Sequence, residues 1–494
     1  MRNTVYVGGG FSQDQLLWVI PIVCEKYKNT RIKKIIFEEL PNKKVLKNIK
    51  IKNYLNKYEI INQRDLEIIK NKYSKYLFVL IMNFFKILNF ILFVNKDKIL
   101  DRNNWFKNQF NHAYWDMCLK DIVDGELKPN LKSKFFSILR CYYYLQLSKI
   151  LVKNGVAEVF LGHSVYHSRV MLAYFRFLGN IKIFTQAAFS IQRQEINKDI
   201  AWHYISKKKL LLIKKNISRF MILNYFNKRK KGKGNYNDAN FASLNSKNNI
   251  KYKNFNTIFI HVFRDSPFNI IDNKRIFLDY FEWFEKTLSI IKESNEIWLV
   301  RLHPSHKRWG ENQPKTVKSF FNNLDIDRFK NIVLCDQKIS NNYLIRNSNK
   351  ILTFSGSVQI ESACFGKKAI TIMPNYRNLN IKNTITPRNF QDYKKILLLN
   401  KNKFEKYSSL SKKQILVSKY ILFIRENIHY LKNDLNGFEI LRKDNDKIKN
   451  KNFNLIFRKI NRNILFLKKN ANLLKKNSSH TISSKYIGLF DNLK

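Results

Sequence analysis

The sequence predicts an α/β protein built from two Rossmann-like, doubly wound domains whose strand ends face a cleft, with helices at the C-terminal side. Three observations carry that prediction. Short strand-like runs alternate with amphipathic helical stretches in both halves of the chain, the pattern of parallel βαβ units. One long stretch without apolar periodicity, 228–254, separates the two series. The length of 494 residues fits two or three domains of ~150 residues each.

The first series opens with a strand at Thr4–Val7, a Gly8-Gly9-Gly10 turn, and an apolar helix from Gln13 to Cys24. A second strand is expected at Lys33–Phe37. Aromatic-rich helix follows over Trp105–Leu151, then a strand at Glu158–Leu161, a Gly162-His163-Ser164 junction and a helix over Tyr166–Leu178. Gly179 is placed to end that helix, and Lys182–Phe184 reads as the next strand. These elements define an N-terminal domain over 1–227, with 228–254 as linker.

The second series is cleaner. Strands are expected at Thr257–Val262, Ile297–Leu302, Ile332–Leu334, Lys350–Phe354 and Ala369–Met373. Helices alternate with them at Ile276–Ile291, Val317–Phe321, Tyr343–Arg346 and Val358–Phe365, the last closed by Gly366. The C-terminal domain therefore covers 255–402, helices continue over 403–440, and 441–494 is a basic, weakly patterned tail. No period of 20–50 residues recurs, which excludes a solenoid.

Hydrophobic residues at 45% supply enough material for a core and exclude a disordered chain. Lys and Arg number 91 against 37 for Asp and Glu, a formal charge of +54. Lys, Asn, Ile, Phe and Tyr are all abundant while Gly and Pro are scarce, so a coding bias toward A and T explains much of the excess. The positive field favours anionic substrates and an anionic membrane surface. No nucleic-acid motif accompanies it, so a basic nucleic-acid-binding protein rests on charge alone. Five scattered cysteines (Cys24, Cys118, Cys141, Cys335, Cys364) form no C-x-x-C pair, which argues against a zinc site or a disulfide framework and fits a reducing cytoplasm. The N-terminus lacks the features of a signal peptide.

Tyr76–Val94 is the one apolar run of membrane-spanning length. Its 14 Leu, Ile, Val and Phe residues gain ~7 kcal/mol in a bilayer, and Asn83, Lys86 and Asn89 offset most of it. Those three polar residues recur every third position and form one stripe. The pattern predicts a helix lying at a membrane surface or against a core, not a span.

Chemistry in open parallel sheets sits in the loops that leave the carboxyl ends of strands. Three loops of the second series are dense in functional groups. They are His261-Val262-Phe263-Arg264-Asp265-Ser266-Pro267, Arg301-Leu302-His303-Pro304-Ser305, and Ser355-Gly356-Ser357, which runs into a helix carrying Glu361. The Ser-Gly-Ser loop suits a phosphate, through hydroxyls, a close backbone approach at Gly356 and helix amides; simple helix capping is its plain alternative. His303, fixed before Pro304, can donate to a phosphate or leaving-group oxygen. Asp265 is the best-placed carboxylate, although it could equally pair with Arg264 or shape its own turn. Asp325-Ile326-Asp327 and Asp444-Asn445-Asp446 match a common D-x-D triplet but follow no clear strand. His163 and His167 are four apart without the glutamate of a zinc helix. Gly8-Gly9-Gly10 is neither G-x-G-x-x-G nor a Walker loop.

The stretch WLVRLHPS, followed some fifty residues later by ILTFSGSVQIESACFGKKAITI, resembles the C-terminal half of capsule polysaccharide biosynthesis proteins, the group that contains the β-Kdo transferases. FIHVFRDSPF and VFLGHSVYHSRVM resemble further strand ends of that family, and Lys368 stands where its motif has proline. The His-Pro pair is similar to one in bacterial sialyltransferases. The resemblance implies a GT-B-type glycosyltransferase taking a nucleotide sugar, a CMP-sugar in preference, with no further cofactor and no metal. It implies that His303 and Ser355–Ser357 hold the donor phosphate, that Glu361 lies near the ribose, and that Asp265 lies near the reacting sugar; Arg301, at the same strand end as His303, adds a fixed charge for the departing phosphate. His163 and Asp116 are acceptor-side candidates. The expected acceptor is a surface polysaccharide or its lipid-linked precursor, met in the cytoplasm at the inner face of the membrane. A nucleotide-sugar epimerase is the alternative on the same architecture.

Overall fold

A computed structural model describes residues 3–66, 74–94, 99, 105–193, 218–233, 250–267, 275–374 and 382–431, apart from positions scattered through 12–29 and from 48, 164, 188 and 189. The basic tail, Asp444–Asp446 and most of the expected linker lie outside the described residues. Two units emerge, one from 3–118, 130–193 and 429–431, the other from 119–129 and 218–428.

The first unit is a six-stranded sheet of order β3-β2-β1-β4-β5-β6, with β1 Thr4–Gly8, β2 Lys34–Phe37, β3 Glu59–Asn62, β4 Val156–Leu161, β5 Lys182–Ala187 and β6 Ser190–Arg193. All neighbours run parallel except β5 and β6. The described helical positions between β1 and β2 repeat an apolar face at Leu16, Val19, Ile20, Val23, Cys24 and Tyr27, and that face is buried on Val5, Val7, Ile35 and Phe37. Helix spacing on one side and strand alternation on the other thus meet in one core.

The second unit has the order β12-β11-β10-β7-β8-β9, with β7 Asn256–Phe259, β8 Trp298–Arg301, β9 Ile332–Leu334, β10 Ile351–Thr353, β11 Ala369–Thr371 and β12 Thr384–Ile385, all parallel. In both sheets the strand order reverses beside the first strand of the unit, between β1 and β4 and between β7 and β10. Such a reversal opens a crevice at the carboxyl ends of the two central strands.

In the second unit β7, β8, β10 and β11 are shorter than the apolar runs that predict them, because the ladder ends where the chain leaves for its loop, whereas β1, β4 and β5 of the first unit run past the expected bounds. The helix expected from Ile276 starts instead at Tyr280. Asp279 accepts from the Glu282 amide at 2.9 Å and Glu282 from the Leu278 amide at 2.6 Å, a reciprocal cap legible as Asp-x-x-Glu. Lys368, where the family motif has proline, uses the amide that proline lacks to donate to Ser408 O at 2.9 Å.

Two segments fall elsewhere than the linear division suggests. The Arg219–Lys230 helix belongs to the second unit, where Phe226 packs on Phe365 and Arg229 pairs with Glu361. Residues 119–129 join the same unit, tied by Asp124 to Arg264 at 2.6 Å. Both ties join residues far apart in sequence, which linear patterning cannot register.

The Ser74–Phe93 helix packs on the Leu131–Lys153 helix, with Val79 and Ile87 buried and Phe90 edge-on to Phe110 and Tyr114. The expected polar stripe divides. Asn83 is half-buried and donates to its own helix at Val79 O, while Lys86 and Asn89 are exposed. Among the described residues, no helix is long and apolar enough to cross a membrane.

Candidate functional site

The loops after β7, β8 and β10 bring His261, His303 and Gly356 together at the switch point of the second unit. The rings of His261 and His303 lie 5.5 Å apart, centre to centre. His261 is held flat on Tyr280, with centroids 4.6 Å apart and an interplanar angle of 6°. Gly356, at φ +112°, adopts a backbone conformation that side chains resist, and an added Cβ would sit 3.9 Å from His261 Cδ2. One edge of the His261 ring therefore faces the Ser-Gly-Ser loop.

Hydrogen bonding separates the two imidazoles chemically. His303 Nδ1 accepts from the Ser305 amide at 3.2 Å, which leaves the proton on Nε2 and makes that nitrogen a donor. Burial, reinforced by His261 and His306, pushes the His303 pKa down to about 3, so the ring is neutral across the working pH range. His261 Nδ1 lies beside two acceptors, Val262 O at 3.3 Å and Asp265 Oδ2 at 3.8 Å. Two acceptors at that nitrogen favour the Nδ1–H tautomer, in which Nε2 is the accepting nitrogen. Asp265 Oδ1 accepts from the Ser266 amide at 2.8 Å, which fixes the carboxylate next to His261, while Arg264 pairs with Asp124 instead of Asp265.

Gln313 locks this arrangement. Fully buried, it accepts from the His303 amide at 2.7 Å, donates to His261 O at 2.7 Å and reaches Glu311 at 3.3 Å. Sequence reasoning passed over both residues because the helix was expected only from Val317. Its start signal was present as Asn312 and Pro314; Asn312 caps the Gln313–Asn323 helix by accepting from the Lys315 amide.

Burial pushes the Glu311 carboxyl up to about 7, partly offset by the Phe263 and Arg264 amides and the Arg264 charge. Its linkage opposes that of His303. A depressed histidine pKa means the unfolded chain binds the extra proton, so stability rises from pH ~3 to ~6.5. A raised carboxyl pKa means the folded chain holds the extra proton, so stability falls from pH ~4.5 to ~7. The two slopes nearly cancel between pH ~4.5 and ~6.5. Melting temperatures of Glu311→Gln are expected to show the rise alone, and those of His303→Gln the fall alone. Profiles parallel to wild type in both variants would dismiss the linkage.

The remaining donor-side candidates are placed unequally. Ser357 occupies the N-cap of the seven-residue Val358–Cys364 helix without a side-chain cap bond, so simple capping does not account for it. Ser355 is nearly buried, and its carbonyl accepts from Thr353 Oγ1 at 2.7 Å. Glu361 is buried against Arg229 at 3.2 Å. Arg301 is buried and is engaged with Asn341 Oδ1 at 3.1 Å and Asp336 O at 3.0 Å, so it braces the ends of β8 and β9.

In the first unit the corresponding switch point carries the Gly8–Gly10 turn. The Gly10 amide donates to Glu38 Oε2 at 3.1 Å, and Tyr144 donates to Glu38 Oε1 at 2.8 Å. His167 stacks on Tyr144 with centroids 4.3 Å apart. An amide that could cradle a phosphate thus meets a carboxylate. His163 is half-buried in the loop after β4, whereas His167 opens the His167–Leu178 helix, so the two do not share a helix face. Asp116 is wholly buried in the Trp105–Lys120 helix, where its charge offsets the burial of Arg169. Asp325–Asp327 sits on a short 3-10 turn, not at a strand end.

No protein-family model and no curated protein matches the chain. Among solved structures, UDP-GlcNAc 2-epimerase of Methanocaldococcus jannaschii in complex with UDP-GlcNAc and UDP is 13% identical, covering 85% of this chain and 99% of its own, at a TM-score of 0.27. The Neisseria meningitidis UDP-GlcNAc 2-epimerase bound to UDP-GlcNAc is 12% identical, with 85% and 98% covered and a TM-score of 0.30. TcCGT1 in complex with UDP is 9% identical, with 95% and 100% covered and a TM-score of 0.18. At such values the fold rests on this chain's own sheet order.

Proposed function

We propose that the chain is a nucleotide-sugar-dependent glycosyltransferase whose donor occupies the switch-point crevice of the second unit. One observation carries the reading: His261, as an acceptor, and His303, as a donor, meet beside Gly356. Transfer needs a proton taken from the attacking hydroxyl and a hydrogen bond to the departing phosphate. Two neighbouring groups held in opposite states answer those needs. His261 Nε2 accepts the proton as the acceptor oxygen bonds the anomeric carbon and the bond to the phosphate oxygen breaks. Asp265 stabilises the imidazolium that forms, and His303 with the Ser355–Ser357 backbone receives the leaving phosphate.

The resemblance to capsule polysaccharide proteins favours a CMP-sugar with an acidic sugar such as Kdo. Glu38, Tyr144 and His167, with His163 nearby in sequence, suit the hydroxyls of a saccharide acceptor. The site of action in this reading is the cytoplasmic face of the cell membrane.

A thermal-shift series with CMP-, UDP- and GDP-sugars tests the donor, since a ligand of the folded state raises the melting temperature. Saturable stabilisation by CMP-sugars is expected. Stabilisation by UDP-sugars alone would overturn the CMP preference, and their interconversion without acceptor would replace the transferase by an epimerase.

A further inference from the structure

The outward side of the Ser74–Phe93 helix is apolar from Ile81 to Phe93. Ile81, Phe85, Leu88 and Leu92, spaced four, three and four apart, form one stripe, and they are 68%, 82%, 43% and 64% exposed. Phe84, Met82 and Phe93 widen it, with Lys86 and Asn89 on its shoulder. The inner side is already occupied by the contacts with Phe110 and Tyr114, so the helix cannot turn this stripe inward without exposing the other. Exposed apolar surface of this extent, ~18 Å from Ile81 to Leu92, marks an interaction site.

We propose that this helix lies in the plane of an anionic bilayer, with the Ile81–Leu92 stripe in the acyl boundary. The charge of the surrounding sequence selects that occupant. Lys70, Lys72 and Lys75 precede or open the helix, Lys86 lies within it, and Lys96 and Lys98 follow, against Asp97 as the one acid between 70 and 98. A second copy docked antiparallel through the same face by two-fold symmetry would bring the exposed Lys86, midway along the stripe, close to its own copy. Anionic headgroups flanking an apolar boundary satisfy both features at once. The proposal deepens the membrane part of the functional reading and rests on it for its biological setting. Vesicle binding needs neither donor nor acceptor, so its failure leaves the nucleotide crevice untouched.

The full chain is mixed with vesicles of phosphatidylcholine alone, or of phosphatidylcholine with phosphatidylglycerol, and bound protein is separated by flotation. Binding to the anionic vesicles is expected to be at least about tenfold stronger and to weaken in high salt. A Phe85→Ser, Leu92→Ser variant should lose about tenfold or more while its melting temperature stays at the wild-type value, since both side chains are exposed. Phe85→Trp should shift its emission to the blue on adding anionic vesicles. Unchanged binding by the serine variant, or an unshifted tryptophan, overturns the proposal. Concentration-dependent self-association that the serine variant abolishes, without vesicle binding by wild type, assigns the face to a second copy instead.

Discussion

Asp265→Asn is expected to lower turnover by ~10²-fold or more while donor binding survives, because asparagine keeps the shape of the loop but not the charge beside His261. In the wild type the carboxylate is fixed by the Ser266 amide and lies 3.8 Å from His261 Nδ1, close enough to stabilise the imidazolium as it forms. His261→Gln should cost at least as much, since it removes the group that takes the proton. If the two residues act as one unit, the double variant falls little further than either single. Fully additive losses would show that Asp265 works apart from His261. The rival carboxylate, Asp116, has no exposed surface and offsets the charge of buried Arg169. Asp116→Asn is therefore expected to lower the melting temperature and to leave the per-molecule turnover of the folded fraction near wild type. Near-normal turnover in Asp265→Asn with an inactive but stable Asp116→Asn would reverse the assignment.

The architecture was largely legible because parallel sheets are buried on both faces and their strands read as apolar runs. Thr4–Gly8, Val156–Leu161 and Ile332–Leu334 stand where those runs predict. The strands left out, Glu59–Asn62, Ser190–Arg193 and Thr384–Ile385, lie at sheet edges, where a short or half-polar segment carries little pattern. The loops that form the crevice were also legible, since the ends of β7, β8 and β10 must share one edge. What escaped were the pairings. Arg264 meets Asp124, Glu361 meets Arg229, and Gln313 bridges His261 to His303, each across a sequence distance that no local rule spans. His261 itself was in view, but a lone histidine after a strand reveals its role only once its ring is seen against Tyr280, Asp265 and Gly356.

His303→Ala should weaken donor binding and turnover together, which distinguishes it from the Asp265 variant. Its Nε2 proton is available in the resting protein, because the ring is neutral and Nδ1 is already engaged by the Ser305 amide. The donor phosphate therefore meets the same hydrogen bond before and during bond cleavage, and its loss is felt in both states. A hydrogen bond to a charged group contributes about 1.5–3 kcal/mol, which corresponds to a tenfold to hundredfold weakening of nucleotide binding. Turnover should drop further, as charge accumulates on the phosphate oxygen when the sugar departs. His303→Gln offers a terminal N–H in place of the imidazole proton and should recover part of the binding but less of the turnover, since its amide is not held by Ser305. Titration calorimetry with the free nucleotide measures the first quantity, and initial rates at saturating donor measure the second. Wild-type nucleotide affinity in His303→Ala would remove His303 from the phosphate and leave the crevice without the donor on which the reading depends.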